Sequence, residues 1–383
     1  MAFPDLLHKE RDQILVQSNS HVRTVILNRP QKLNVLSHEM VSQLLKNFKA
    51  FEEDNDVKLV ILKGKGKAFC AGGDVTSVIL SITYGHWIYG AKFYSNLLTL
   101  DYILATYKKP QVCLINGMIM GGGAGLSMNG KFRVVTENTI FAMPEASLGL
   151  FPDVGASYFL SRLSGFFGEY IGLTGTRLDG AEMLACGLAT HFVLSMNLPS
   201  LEEELNKVDS SDLTIISTII DSFSLTSILK EDSVYRRIDI INKCFSKGTV
   251  EEILSALEYE AINKKDDWIG SAVKSLKTSS PTSLKVFLKS IREGRTQGID
   301  QCLIREYKMA CHAVRRTVTD DLFEGCRAAL LDKDKKPKWK PSKLELVCKE
   351  MVDQYFIAID GDDWEELQLP IRSNSTKLAT AKL

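Results

Sequence analysis

With 383 residues, 45% hydrophobic and 25% charged, the chain has the composition of a soluble globular protein of one large or two ordinary domains, able to bury a core without covalent staples. Its 47 Lys and Arg balance 47 Asp and Glu, which argues against a nucleic-acid or anionic-membrane surface as the main purpose of the fold and makes small molecules the expected partners. Eight cysteines form no C-x-x-C pair, so reduced and mostly buried thiols of an intracellular protein are expected, with no metal site; no stretch reaches the roughly 18 apolar residues of a membrane helix.

The N-terminal "MAFPDLLHKERDQ" has no basic segment followed by an apolar run, and its Asp5, Glu10 and Asp12 do not suit a transit peptide, so neither secretion nor mitochondrial import is expected. "VRTVILNRP" reads as a strand ended by Pro30, after which Ser37 caps a helix with Val41, Leu44, Leu45, Phe48 and Phe51 on one face. "VKLVILKG" is a second, nearly all-apolar strand, followed by the glycine-bearing loop "GKGKAFCAGGDV" and a helix. "PQVCLING" is a third, followed by "MIMGGGAGLSM". Strands apolar on both faces and separated by helices imply a parallel sheet covered by helices, an α/β class. From about Leu201 helical periodicity takes over, with capping-box spacings at Ser200/Glu203 and Thr249/Glu252. We therefore expect a core over 1–200, a helical region over 201–370 and a polar tail over 371–383. That tail ends Ala381-Lys382-Leu383, a close variant of the Ser-Lys-Leu tripeptide read by peroxisomal import, so a peroxisomal location and an import receptor as partner are expected.

The two glycine loops are similarly placed, each after a strand and before a helix. Glycine costs conformational entropy, so a run of it needs a reason. Close packing of helix on strand is one. The sharper one is that two helix entries side by side aim two main-chain N–H groups at one oxygen, an oxyanion hole. A phosphate cradle is disfavoured, because neither loop has the Lys-Ser/Thr ending of a P-loop or the G-x-G-x-x-G spacing of a dinucleotide site. None of the six histidines lies beside a G-x-S-x-G elbow, and Cys70 reads as packing, so a Ser/His or Cys/His nucleophile is not expected.

"LNRPQKLNVLS" (27–37), "AFCAGGDV" (68–75), "MGGGAGLSMNGKFRV" (120–134) and "FAMPEASLGLFPDVGASYFLSRL" (141–163) together resemble the crotonase (enoyl-CoA hydratase/isomerase) superfamily. Within it the chain resembles the 3-hydroxyisobutyryl-CoA hydrolases, closest to the plant peroxisomal form, and the resemblance covers nearly the whole length. It implies a crotonase-like spiral of ββα repeats followed by a helical C-terminal region, acting on an acyl-CoA with no separate cofactor, CoA being part of the substrate. Relatives are often trimers or multiples of trimers, so a homo-oligomer is an expected partner state. By the matched motifs the oxyanion donors are the N–H groups of Gly73 and Gly122, while Lys32 sits where relatives contact the adenosine or phosphate end of CoA, or is a solvated lysine.

Hydratases of this superfamily work with two glutamates. The first of those positions is here Gly125, which cannot transfer a proton; the second is Glu145, and Asp153 is the acid of the hydrolase branch. The resemblance thus implies thioester hydrolysis by Glu145 and Asp153, whereas spacing alone equally allows either to cap a helix. Related hydrolases carry a glutamate where this chain has Leu97. Two other readings therefore stand beside hydrolysis of 3-hydroxyisobutyryl-CoA in valine breakdown: an enoyl-CoA hydratase/isomerase, and a CoA-ester-binding paralogue with little turnover.

Overall fold

The computed structural model describes residues 12–263, 266–361 and 364–372. The terminal tripeptide 381–383 and the first eleven residues, on which the targeting expectations rest, lie outside the described residues. The fold is mixed α/β, in two compact units that interleave along the chain. The first comprises 1–73, 103–141 and 178–228; the second comprises 74–102, 142–177 and 229–383.

The first unit is built on a six-stranded sheet: β1 (Ile14–Asn19), β2 (Val22–Leu27), β3 (Leu59–Gly64), β5 (Gln111–Ile115), β7 (Phe132–Val135) and β10 (His191–Phe192), in that spatial order. The pairs from β2 onward are parallel, and β1 adds antiparallel to β2 through a tight turn at Ser20, φ +47°. The parallel strands follow the expectation; the outer hairpin strand does not, because its largely exposed pattern lacks an apolar run.

Alternate residues explain the layering. Val22, Leu59, Ile61, Val112, Leu114, Phe132 and Val134 point to one face, where Leu201, Leu205, Ile216 and Ile220 of the helices Leu198–Leu205 and Leu213–Phe223 cover them. The intervening Val25, Val60, Leu62, Cys113 and Val135 are equally buried on the other face. Each such side chain contributes roughly 1.5–3 kcal/mol, so the sheet needs cover on both sides. A second, smaller sheet orders β4 (Ala68–Cys70), β6 (Met118–Met120), β8 (Ile140–Ala142) and β9 (Leu178–Asp179). Its strands are two or three residues long, too short for a two-residue periodicity to reveal.

Ser37 caps the helix His38–Glu53 as expected, accepting from Met40 N–H, with Val41, Leu44 and Phe48 buried along it. Thr249 and Glu252 exchange the reciprocal bonds of a capping box at 3.2 and 3.0 Å. Ser200 and Glu203 do not. Pro199 stands in the first turn of Leu198–Leu205, so this helix begins two residues before the expected cap and Ser200 lies inside it.

The second unit is helical among its described residues. Its spine is Pro281–Gly294, whose Leu284, Val286, Phe287, Leu288 and Ile291 are buried. Around Tyr170 the rings of Phe167, Phe245 and Trp268 pack at 5.3–5.8 Å, two of them edge-on. No described helix in either unit is long and apolar enough to cross a membrane.

Candidate active site

In the first unit the glycine loops close on one another. Asn34, in the left-handed region at φ +55°, turns its side chain inward, and its Nδ2 donates to the carbonyls of Lys65 and Ala68 at 3.0 and 2.8 Å. Its Oδ1 accepts from Arg29 N–H at 2.8 Å. This side chain ties the "RPQKLN" segment to the start of β4. Leu36 N–H then donates to the Gly72 carbonyl at 2.8 Å, and Leu36 forms a parallel bridge with Gly73.

The second loop enters through Gly121, whose φ +45° and ψ −116° no L side chain readily adopts, into the single helical turn Gly122–Gly125. A Cβ on Gly122 would stand 3.3 Å from Gly73 N and 3.2 Å from Leu36 Cδ1. One on Gly123 would stand 2.3 Å from the Cys70 carbonyl. The two glycines meet different neighbours. Gly123 is needed for packing, with Cys70 beneath it, while Gly122 brings its main chain against Gly73. Gly122 is the first residue of its turn, so its N–H has no acceptor four residues back. Gly125 is buried in the same turn. Lys32 ends the exposed 3-10 turn Pro30–Lys32 of this unit.

The second unit brings Glu145 and Asp153 together. Asp101, Glu145, Asp153 and Glu306 are 0, 7, 5 and 0% exposed. Glu145 opens the 3-10 turn Glu145–Leu148, and its side chain does not cap that turn. Its Oε2 is buried without a partner, and burial pushes its carboxyl up to about 8. Asp153 is raised well above the usual carboxylate range by burial first, then by the charges of Glu145 and Glu306. It does not cap the following turn Ala156–Phe159 either. Two carboxyls whose charges act on each other in a dry interior cannot both ionise readily. One of them is held as an acid, the arrangement that divides acid and base roles.

The helix Ile88–Ala105 presents Tyr94, Leu97 and Asp101 at the i, i+3 and i+7 spacing of one face, all buried. Burial, then the charges of Asp153, Cys326 and Glu145, lift the Tyr94 phenol well above its ordinary value. Both oxygens of Asp101 are without a hydrogen-bond partner, and burial, followed by Asp153 and Glu306, raises its carboxyl. Leu97 thus sits apolar between a phenol and a buried carboxyl.

Tyr94, Asp101 and Glu306 were not found by reading the sequence. Nothing local marks them; Glu306 lies 151 residues from the Gly155 N–H that it accepts. Asn34, by contrast, lies inside a motif that sequence reading had already isolated. Among the described residues no group of three or more His, Cys, Asp and Glu side chains could hold a metal ion.

A family model described as enoyl-CoA hydratase/isomerase matches residues 22–356. The chain is 58% identical over 373 residues to 3-hydroxyisobutyryl-CoA hydrolase 1 of Arabidopsis thaliana, covering 97% of this chain and 98% of that one. It is 45% identical over 361 residues to small ribosomal subunit protein mS47 of the same plant, covering 94% and 88%. Among solved structures it resembles a carnitinyl-CoA dehydratase from Mycobacterium thermoresistibile, with a TM-score of 0.84 and 31% identity over 93% of this chain and 98% of that one.

Proposed function

Because the chain belongs to the enoyl-CoA hydratase/isomerase family, we propose that it hydrolyses a short branched 3-hydroxyacyl-CoA thioester, 3-hydroxyisobutyryl-CoA, to 3-hydroxyisobutyrate and CoA in valine breakdown. The N–H groups of Gly73 and Gly122 donate to the thioester oxygen as it gains negative charge. Glu145 either attacks the carbonyl carbon, giving a mixed anhydride that water opens, or takes a proton from the attacking water. Asp153 orients that water or passes the proton on. The bond formed joins a water oxygen to the acyl carbon, the bond broken is carbon to sulfur, and the proton goes to the departing thiolate. A thiol ionising near 8.5 leaves with little acid assistance, so charge stabilisation on the carbonyl oxygen carries much of the rate.

The observation that carries hydrolysis over hydration is a buried, half-satisfied Glu145 in a chain that has only glycine at position 125. Hydration needs a second carboxyl there. A thiol-release assay tests the reading: release from 3-hydroxyisobutyryl-CoA by the parent protein, lost in Glu145→Gln, supports it. Hydration of crotonyl-CoA at a comparable rate would replace it with the hydratase reading.

A second reading is favoured by Leu97 and by the 45% identity to a protein named as a ribosomal subunit component. In it the chain binds CoA esters with little turnover. Binding without thiol release in the parent protein would establish that reading.

We also propose that Ala381, Lys382 and Leu383 direct the protein to the peroxisome through an import receptor. Deleting the three residues should leave a tagged protein in the cytosol, and unchanged import would exclude the role.

A further inference from the structure

Between Asp153 and Ser157 the backbone takes two consecutive positive φ angles, +55° at Val154 and +83° at Gly155. For a β-branched residue this is an unfavourable conformation, which persists only where the surroundings over-determine it. Here they do. Glu306, on the helix Ile299–Arg315, accepts from Gly155 N–H at 2.7 Å with one oxygen. With the other it accepts from Ser157 N–H at 3.0 Å and Ser157 Oγ–H at 2.6 Å. Arg305, its neighbour in sequence, donates from Nη2 to the same Ser157 Oγ at 2.8 Å and to the Ser290 carbonyl at 3.0 Å.

All three hydrogen bonds run into the carboxylate, and charge-assisted bonds of this kind are roughly twice as strong as neutral ones. The two main-chain donors open the turn Ala156–Phe159, so the carboxylate satisfies N–H groups that the turn itself leaves without acceptors. Resting on the hydrolase reading above, we propose that Glu306 is a positioning residue for Asp153, clamping the strained Val154–Gly155 turn that presents this acid.

The clamp also has an electrostatic consequence. Burial pushes the Glu306 carboxyl up, and Ser157, Gly155 and Arg305 pull it back. Its charge, together with that of Glu145, favours the protonated form of Asp153. The charge of Asp153 also acts on Tyr94 and Asp101, from the helix Ile88–Ala105, and burial is the larger cause that raises each. Removing the Glu306 charge therefore lets Asp153 ionise at lower pH.

The test uses the full chain and two variants, Glu306→Gln and Ser157→Ala, with thiol release followed from pH 5 to 9 and amide exchange followed at Gly155 and Ser157. In Glu306→Gln we expect kcat to fall roughly 10- to 100-fold with KM within about threefold, because misplacement of a reacting group costs rate rather than binding. Exchange at both amides should accelerate by about tenfold or more, and the limb of the pH profile governed by Asp153 should move to lower pH. Ser157→Ala keeps the charge and both main-chain clamp bonds and loses the Oγ–H bond, so it should speed exchange at Gly155 and lower kcat by less than Glu306→Gln does, without moving that limb. Unchanged exchange in Glu306→Gln, or a shifted limb in Ser157→Ala, overturns the proposal. If Glu306→Gln does not fold, Ser157→Ala decides alone: normal exchange at Gly155 with normal kcat refutes the clamp. If the parent protein releases no thiol, it is the hydrolase reading that fails, and the exchange measurement still decides the clamp.

Discussion

The glycine loops of the first unit and the buried acids of the second place polar groups in an apolar interior by opposite means. In the loops the groups are main-chain N–H, brought within reach because Gly122 lacks the Cβ that would stand 3.3 Å from Gly73 N. They carry no titratable proton. In the acid cluster the groups are side chains drawn from three distant stretches of chain, Tyr94 to Asp101, Glu145 to Asp153, and Glu306; burial raises Asp101, Glu145 and Asp153, while at Glu306 three donors and Arg305 oppose it. One half of the proposed chemistry is therefore insensitive to pH and intolerant of added atoms, while the other half is sensitive to pH.

The strongest way to break this contrast is to remove the acid. Glu145→Gln keeps the shape of the side chain, and thiol release should fall by roughly 1,000- to 10,000-fold, the upper range for a lost general base. A single-turnover assay reads it, and a loss below about tenfold would put the chemistry elsewhere.

The loop half should respond to a single methyl. Gly122→Ala meets contacts of 3.2–3.4 Å that can give by a few tenths of an ångström, so it should fold and lose roughly 100- to 1,000-fold in kcat, as when one oxyanion donor is displaced. Gly123→Ala, one residue on, meets main chain at 2.3 Å and should not fold. Circular dichroism separates the two outcomes. If both variants behave alike, the triple glycine serves only packing.

A pH series sharpens the comparison further. Burial pushes the Glu145 carboxyl up to about 8 in the folded protein, against an ordinary 4.5. Between those values the folded state holds a proton that the unfolded chain has lost, so stability falls as pH rises from about 4.5 to about 8. Each pH unit is worth up to about 1.4 kcal/mol per carboxyl. Urea midpoints at pH 6 and 8.5 should therefore differ in the parent protein. They should approach one another in Glu145→Gln and Asp101→Asn, and differ as before in Gly122→Ala.

The smallest effect is expected at Lys32. It is exposed, so Lys32→Ala should raise KM for a CoA ester by only about twofold to fivefold, more at low salt, and leave kcat unchanged. An effect on kcat would move Lys32 from the CoA end to the reacting carbonyl.

How much of this was legible beforehand depended on distance along the chain. Ser37 and the pair Thr249/Glu252 were readable as caps because a cap closes over three residues. The pair Ser200/Glu203 had the same spacing and failed, because Pro199 fixed the helix start earlier. The glycine motif pointed to Gly73 and Gly122, and their approach is seen in the first unit. Glu145 and Asp153 were named from a motif, but not their burial, nor the fact that neither caps its turn.

The sequence by itself determined the parallel apolar strands, the glycine-rich helix entry, the caps at Ser37 and Thr249/Glu252 and the family, since each is written in neighbouring residues or in a contiguous motif. Only the tertiary structure decided which acids share an interior, that Leu97 lies between Tyr94 and Asp101 on a buried face, and that a carboxylate at 306 holds the turn at 154 and 155. The physical reason is that backbone conformation is governed by contacts a few residues long. Desolvation and charge coupling depend instead on which distant segments the folded chain brings within a few ångströms of one another, and no local pattern records that.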